Sequence, residues 1–205
     1  MKKNKISKNW LIKHRKDQFF SQSRIQGYRS RSAYKLIEMN KKFKFLNKTT
    51  YLLDLGSKPG GWSQVASRII TKGKILAVDI DPMLKINKVS FLNGDLRDPF
   101  LRERIFTFFE KKIDLVISDI AANTTGSKNL DSYKTGELCL SAMDLAHKIL
   151  NQEGVFLSKI FMGSIFLEIN EKAKKSFKKV VKYKPLSSSK ESKEIYIYCK
   201  GISKV

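Results

Sequence analysis

Four aspartates recur where an apolar run gives way to small or polar residues. Asp54 stands in Tyr51-Leu-Leu-Asp-Leu-Gly56 and Asp79 closes Lys74-Ile-Leu-Ala-Val-Asp79. Asp95 follows Val89-Ser-Phe-Leu92 in Gly94-Asp95, and Asp119 follows Ile113-Asp-Leu-Val-Ile-Ser118. The first leads into a glycine turn, Gly56-Ser-Lys-Pro59-Gly60-Gly61-Trp62, of the kind that lets a ligand approach the backbone. Its spacing is not G-x-G-x-x-G, so the dinucleotide fingerprint is not met. Asp79 lies 18 residues beyond Gly61, where an acid can accept both hydroxyls of a ribose. Asp95 can accept an exocyclic amine such as that of adenine. Taken singly, each acid reads as a helix cap or a solvated loop residue. Four at successive run ends read as one pocket. A ligand with an amine, a ribose and an adenine but no phosphate suits them, which is S-adenosylmethionine (SAM) rather than NAD.

The elements that must hold these residues follow from hydrophobic pattern. The four apolar runs read as strands, with Gly154–Ile160 a fifth, and Val180–Tyr183 and Glu194–Tyr198 the last two. Between them, helices are expected over 30–41, capped by Ser30 or Ser32, and over 60–70, 98–110, 131–151 and 164–178. Apolar strands alternating with helices predict an α/β fold: a Rossmann-like, mostly parallel seven-stranded sheet with helices on both faces. The last two strands are joined by about ten residues without a helical pattern, so an antiparallel pairing is expected there. In such sheets ligands bind beyond the carboxyl ends of the strands, where the strand order reverses.

Charge is unevenly spread along the 205 residues. The net charge is +22, and residues 1–31 and 171–205 hold +9 and +8 of it. Basic ends attract polyanions, of which a nucleic-acid backbone is the commonest. A merely solvated, Lys-rich surface is the plain alternative. Residues 1–29 read as a basic N-terminal arm and 30–205 as the catalytic-type domain. The aromatics interleaved in the arm (Trp10, Phe19, Phe20 and Tyr28) suit either base stacking or burial of the arm on the domain. Two cysteines, Cys139 and Cys199, leave no disulfide framework, and His14 and His147 offer no metal-ligand spacing. No apolar run approaches a membrane span and no secretory signal is evident. No metal, no membrane association, a reducing cytoplasmic compartment and a monomer are therefore the expectations.

Seven segments in order, spanning about residues 24–201, resemble the FtsJ/RrmJ family of RNA ribose 2′-O-methyltransferases. They are Arg29-Ser-Arg-Ser-Ala-Tyr-Lys35-Leu, Asp54-Leu-Gly-Ser-Lys-Pro-Gly-Gly-Trp-Ser-Gln64, Asp79, Gly94-Asp-Leu-Arg-Asp98, Ser118-Asp-Ile-Ala-Ala-Asn123, Ser158-Lys159-Ile-Phe-Met-Gly163 and Ser192-Lys-Glu194-Ile-Tyr-Ile197. The resemblance implies a SAM-dependent methyltransferase domain with an antiparallel last strand. It implies a catalytic Lys-Asp-Lys-Glu tetrad, which falls by motif on Lys35, Asp119, Lys159 and Glu194. It also implies cofactor contacts at Asp54, Gly56, Pro59, Gly60, Gly61, Trp62, Asp79, Asp95 and Asp119. The short chain resembles the bacterial branch, whose substrate is a uridine ribose in ribosomal RNA of the large ribosomal subunit. Two positions depart from that branch: Lys58 replaces a small residue in the glycine turn, and Ala122 stands where Pro usually follows Asp-x-Ala.

The chemistry asks for such residues, because a ribose 2′-hydroxyl must lose its proton as it attacks a methyl group. Lys159 is the candidate base. Its place in an apolar run favours the uncharged amine, while Asp119 and Glu194 favour the charged one. A steering role and a plain ion pair with Asp119 both stay open. Competing readings are a tRNA or mRNA-cap 2′-O-methyltransferase and a non-catalytic RNA-binding ribosome-assembly factor. A small-molecule methyltransferase fits the charge poorly.

Overall fold

The computed structural model describes residues 18–122, 125–189 and 191–203. The basic residues from Lys2 to Lys16, with Trp10, His14 and Asn123, lie outside the described residues. Helix α1 is Gln18–Ile25 and α2 is Ser32–Phe43; after β1 (Tyr51–Leu55) come α3 (Gly61–Ile69), β2 (Lys74–Asp79) and β3 (Val89–Asn93). Then follow α4 (Pro99–Phe109), β4 (Ile113–Ser118), α5 (Lys128–Ile149), β5 (Leu150–Phe161), α6 (Phe166–Ser176), β6 (Phe177–Tyr183) and β7 (Glu194–Ile202). The sheet runs β3-β2-β1-β4-β5-β7-β6. Strands β1 to β5 are parallel, whereas β7 pairs antiparallel with both β5 and β6. The strand order reverses between β1 and β4, so the α/β pattern, the seven strands and the antiparallel last strand all stand as expected.

Strand period sorts the side chains onto two faces. Leu53 and Leu55 of β1, Val116 of β4 and Phe156 of β5 pack with Ile105 of α4, Met143 of α5 and Ile169 of α6. The alternate residues Leu52, Leu115, Ile117 and Leu157, with Tyr196 of β7, pack with Leu36 of α2 and Trp62 and Val65 of α3. Lys159 shares the parity of Leu157, and Glu194 that of Tyr196. Both therefore belong to the face that α2, carrying Lys35, covers.

Boundaries differ from the pattern in two instructive places. The fifth strand begins at Leu150 rather than Gly154, because Leu150 pairs with Ile113 before a bulge resets the register to Val155 opposite Leu115. The polar run 151–153 disguised that pairing as a turn. Asn151 in the bulge donates to Asp114 Oδ1 at 2.8 Å. Neither Ser30 nor Ser32 caps α2; Arg31 holds the cap position, and the two serine hydroxyls bond each other at 2.6 Å. By contrast Asp98 caps α4, its carboxylate accepting the Phe100 N–H at 2.9 Å.

Candidate active site

The carboxyl ends of β1, β2 and β4, with the turns after β3 and β4, enclose a cavity of about 710 Å³. Its walls include Leu55, Val78, Leu96 and Ile120, and its rim carries Asp79, Asp95 and Asp119. The glycine turn makes one side. At Gly56, φ is 72° and a Cβ would lie 2.4 Å from Ile120 Cγ1, so only glycine lets the turns after β1 and β4 come this close. At Gly60, φ is 110°, and a Cβ would collide with Ile86 and Met83 of the loop after β2. Gly61 starts α3 against Ser30, where a Cβ would lie 2.3 Å from Ser30 Oγ.

Each acid is held by specific donors. Asp79 Oδ2 accepts the Lys58 N–H at 2.9 Å and Oδ1 accepts the Asp81 N–H at 3.0 Å, which leaves further lone pairs on the carboxylate. Asp95 takes the Arg97 guanidinium on both oxygens, at 2.6 to 3.1 Å, and this holds its carboxyl below the ordinary range. Asp54 faces α3 rather than the cavity wall. It is fully buried and accepts the Ser63 hydroxyl at 2.6 Å, while its Oδ1 has no partner. Burial pushes the Asp54 carboxyl up to about 7, aided by the nearby charges of Asp119 and Asp79 and opposed by the Ser63 bond. Lys58 lines the cavity with its ammonium 2.9 Å from Asp81 Oδ2. Pro59 offers its carbonyl to Arg29 Nη1 at 3.3 Å. Trp62 is buried in the core under the turn, donating from Nε1 to the Ser32 carbonyl at 2.9 Å, and it is not among the residues lining the cavity.

Beside the cavity, β4, β5, β7 and α2 bring Lys35, Asp119, Lys159 and Glu194 together as two ion pairs. Lys35 Nζ lies 2.6 Å from Glu194 Oε1, with side chains 8% and 12% exposed. Lys159 Nζ lies 3.2 Å from Asp119 Oδ1, with side chains 8% and 17% exposed, and donates to the Asp119 carbonyl at 2.7 Å. Register explains the meeting. Lys159 stands opposite Tyr196, and Phe161 opposite Glu194, in the antiparallel pair. The Asp119 N–H, just past β4, donates to the Leu55 carbonyl at 3.2 Å and so fixes that carboxylate beside β1.

Two supporting residues, Tyr196 and Ser188, are not singled out by the sequence pattern. Tyr196 lies between the pairs, its hydroxyl donating to Asp119 Oδ1 at 3.0 Å and its ring 5.8 Å from Lys35 Nζ. Burial, with the Asp119 and Glu194 charges, pushes its phenol well up, so it stays a donor. Its position two residues from Glu194 on one strand was the available signal. Ser188 donates to Glu194 Oε1 at 2.9 Å. Ala122 uses an N–H that proline would lack, donating to the buried Thr135 hydroxyl at 3.1 Å. That bond is the local use of the departure at 122.

The described part of the arm is seated on the domain. Phe19 and Tyr28 pack on Tyr34 of α2 with ring centroids 5.5 and 5.7 Å away. Arg29 donates to the Leu84 and Lys85 carbonyls at 2.6 and 2.7 Å. Among the described residues no group of His, Cys, Asp and Glu could hold a metal ion, and no helix is long and apolar enough to cross a membrane.

A family model described as FtsJ-like methyltransferase matches residues 28–202. The chain is 48% identical to a protein of Pelagibacter ubique named ribosomal RNA large subunit methyltransferase E, over 98% of each chain. A Plasmodium falciparum structure described as a ribosomal RNA methyltransferase superposes with a TM-score of 0.77 at 33% identity, covering 85% of this chain and 98% of the other. A Streptococcus mutans methyltransferase solved with SAH shares the fold, at a TM-score of 0.53 and 13% identity, over 80% and 97% of the two chains. The chain belongs to the FtsJ-like methyltransferase family.

Proposed function

We propose that this FtsJ-like methyltransferase transfers the methyl group of SAM to the 2′-hydroxyl of a uridine ribose in large-subunit ribosomal RNA. The observation that carries the reading is the convergence of Lys35, Asp119, Lys159 and Glu194, from four separate elements, at one edge of the cavity. The Pelagibacter ubique relative's name supports the substrate class.

The cavity suits SAM by its donor set. Its lining holds five carboxylates against three cations, and two of those cations, Lys58 and Arg97, are already paired with acids. That balance favours a cationic, phosphate-free ligand. Asp79 would take the ribose hydroxyls with the lone pairs its backbone donors leave free. Asp95 would take the adenine amine, Gly56 would let the remainder lie against backbone, and Gly60 and Gly61, packed on Ile86 and Ser30, would hold the turn in place. Asp54, Pro59 and Trp62 would act from beneath by shaping the turn. When bound, SAM supplies an electrophilic methyl on a sulfonium.

The chain's own residues do the rest. A positioned base is worth about 10²–10⁴-fold, and alignment of the hydroxyl supplies more. Lys159 is assigned to the hydroxyl. Its amine is tied to the Asp119 carbonyl and carboxylate, and Tyr196 braces the same carboxylate. As an ammonium it steers the hydroxyl lone pair toward the methyl; as an amine it takes the proton and passes it to water. Lys35, held by Glu194, adds positive charge where the alkoxide develops.

Residues 1–29 would serve as an arm on domain 30–205 that engages RNA phosphates, with Lys174, Lys175, Lys178 and Lys179 of α6 and β6 as a second basic surface. The substrate in this reading is the assembled large subunit, met by a monomeric enzyme in the cytoplasm. The test is incubation with tritiated SAM and, separately, large subunits, free ribosomal RNA, tRNA and capped mRNA. Label is expected in the large subunit, on a uridine ribose when nucleosides are resolved. Label in tRNA or the cap alone, or RNA binding with no incorporation anywhere, overturns it.

A further inference from the structure

Glu38 lies three residues beyond Lys35, so both side chains leave the same side of α2. Its carboxylate is saturated. Oε1 accepts the Tyr183 hydroxyl at 2.6 Å and the Leu186 N–H at 2.7 Å. Oε2 accepts the Ser187 N–H and the Ser187 hydroxyl, each at 3.1 Å. All these donors lie at the end of β6 and in the turn that leaves it. The hydrogen bond to Glu38, with burial, pushes the Tyr183 phenol up to about 12, so it remains a donor at neutral pH. The next residue, Ser188, is buried and donates to Glu194 Oε1, the same oxygen that Lys35 meets. A closed circuit results: Lys35 to Glu194, to Ser188, to Ser187, to Glu38, and back along one turn of α2 to Lys35. Apolar packing does not anchor the tip of this loop, since Leu186 is 86% exposed. Charge-assisted hydrogen bonds to Glu38 hold it instead.

We propose that Glu38 is a positioning residue that sets the Lys35–Glu194 pair by holding the 186–188 turn, through which Ser188 fixes the Glu194 carboxylate. The inference deepens the 2′-O-methyltransferase reading and rests on it for the kinetic effect. Without Glu38 the turn loses three bonds and the end of β6 a fourth, Glu194 gains rotamer freedom, and the Lys35 ammonium is less often where charge develops. None of Lys35, Glu38, Ser187, Ser188 and Glu194 lines the cavity, so cofactor affinity is untouched.

The test compares wild type with Glu38→Ala, Glu38→Gln and Ser188→Ala on large subunits with labelled SAM, alongside calorimetric SAH binding and crystal structures of the variants. Glu38→Ala should lower kcat about ten- to hundredfold per SAH-binding site, with the KM for SAM and the SAH affinity within twofold of wild type. Glu38→Gln, which keeps acceptor oxygen Oε1, should recover part of the loss. Ser188→Ala should cost less than Glu38→Ala, and the double variant no more than Glu38→Ala alone, since both act through one chain of contacts. The crystal structure of Glu38→Ala should show Glu194 displaced from Ser188. An unchanged kcat per binding site, or additive losses, overturns the proposal. If wild-type protein labels no RNA, the proposed reaction falls, and the positioning role is decided by the crystal structure alone: Glu194 still on Ser188 ends it.

Discussion

On the β2–β3 side of the cavity, the ion pairs stand in solvent. Lys58–Asp81 has side chains 46% and 57% exposed, and Arg97–Asp95 has 73% and 37%. On the β4–β5–β7 side, Lys35–Glu194 and Lys159–Asp119 are almost enclosed and braced by Tyr196 and Ser188. Exposed pairs are worth about 0–1 kcal/mol, so they can exchange partners with an arriving ligand at small cost. Breaking an enclosed pair strands a charge and costs about 3–5 kcal/mol, so that geometry is set before any substrate arrives. The difference fits the proposed division of labour, in which the adaptable side would receive a cofactor that must come and go and the fixed side the reacting hydroxyl, where preorganisation counts most.

Lys159→Ala should produce the largest change. Methyl transfer should fall by about 10²–10⁴-fold, while calorimetric SAH affinity stays near wild type. Near-normal turnover would show that the enclosed side is not where the chemistry lies. Asp79→Ala should act on the opposite side alone, weakening SAM binding by roughly 10- to 150-fold for the loss of charge-assisted bonds. Equal affinity in variant and wild type would remove Asp79 from the cofactor's contacts.

Asp54 is an enclosed acid on the adaptable side, with Ser63 as its hydrogen-bond partner. Its carboxyl is raised from 3.8 to about 7 in the folded chain, which therefore binds the extra proton. The stability it contributes is full below about 3.8 and is lost as pH rises through about 7. Urea unfolding across that window should show wild type losing up to about 1.4 kcal/mol per pH unit relative to Asp54→Asn. Parallel curves for the two proteins would show that this carboxyl ionises freely. The smallest effect is expected for Lys58→Ala, at about 1 kcal/mol or less in stability and roughly fivefold or less in SAM affinity. A loss as great as that of Asp79→Ala would mean that the exposed pair is a fixed part of the pocket after all.

Much of this arrangement was legible in the sequence for physical reasons. Strands β1, β2 and β4 are buried on both sides, so their apolar runs end where the strands end. The acids at those ends then fall on one edge of a parallel sheet. The enclosed half was harder to read. Lys35 and Glu194 come from opposite ends of the chain, and the packing of α2 on the sheet face that carries Tyr196 brings them to 2.6 Å. Family resemblance named that pair; periodicity alone did not. The start of β5 was hidden by polar residues in a bulge, and the role of Ser188 by its place in a serine run that reads as plain loop. Trp62, beside the glycine turn in sequence, is turned into the core by the bond to Ser32, which no local pattern announces.

The antiparallel last strand also sets a timetable. Synthesis runs from the amino end, and every strand lining the cavity is made before residue 120, whereas Glu194 and Tyr196 open the final strand. A nascent chain therefore holds every strand of the cavity side while its other half still lacks an acid and a brace. Closing β7 between β5 and β6 is a late event, since it waits on the last strand of the sheet to be made. Translation that stops short of residue 194 leaves a chain that carries the cavity's acids but neither Glu194 nor Tyr196, so the last stretch of the message decides whether the Lys35 and Asp119 partners are made at all.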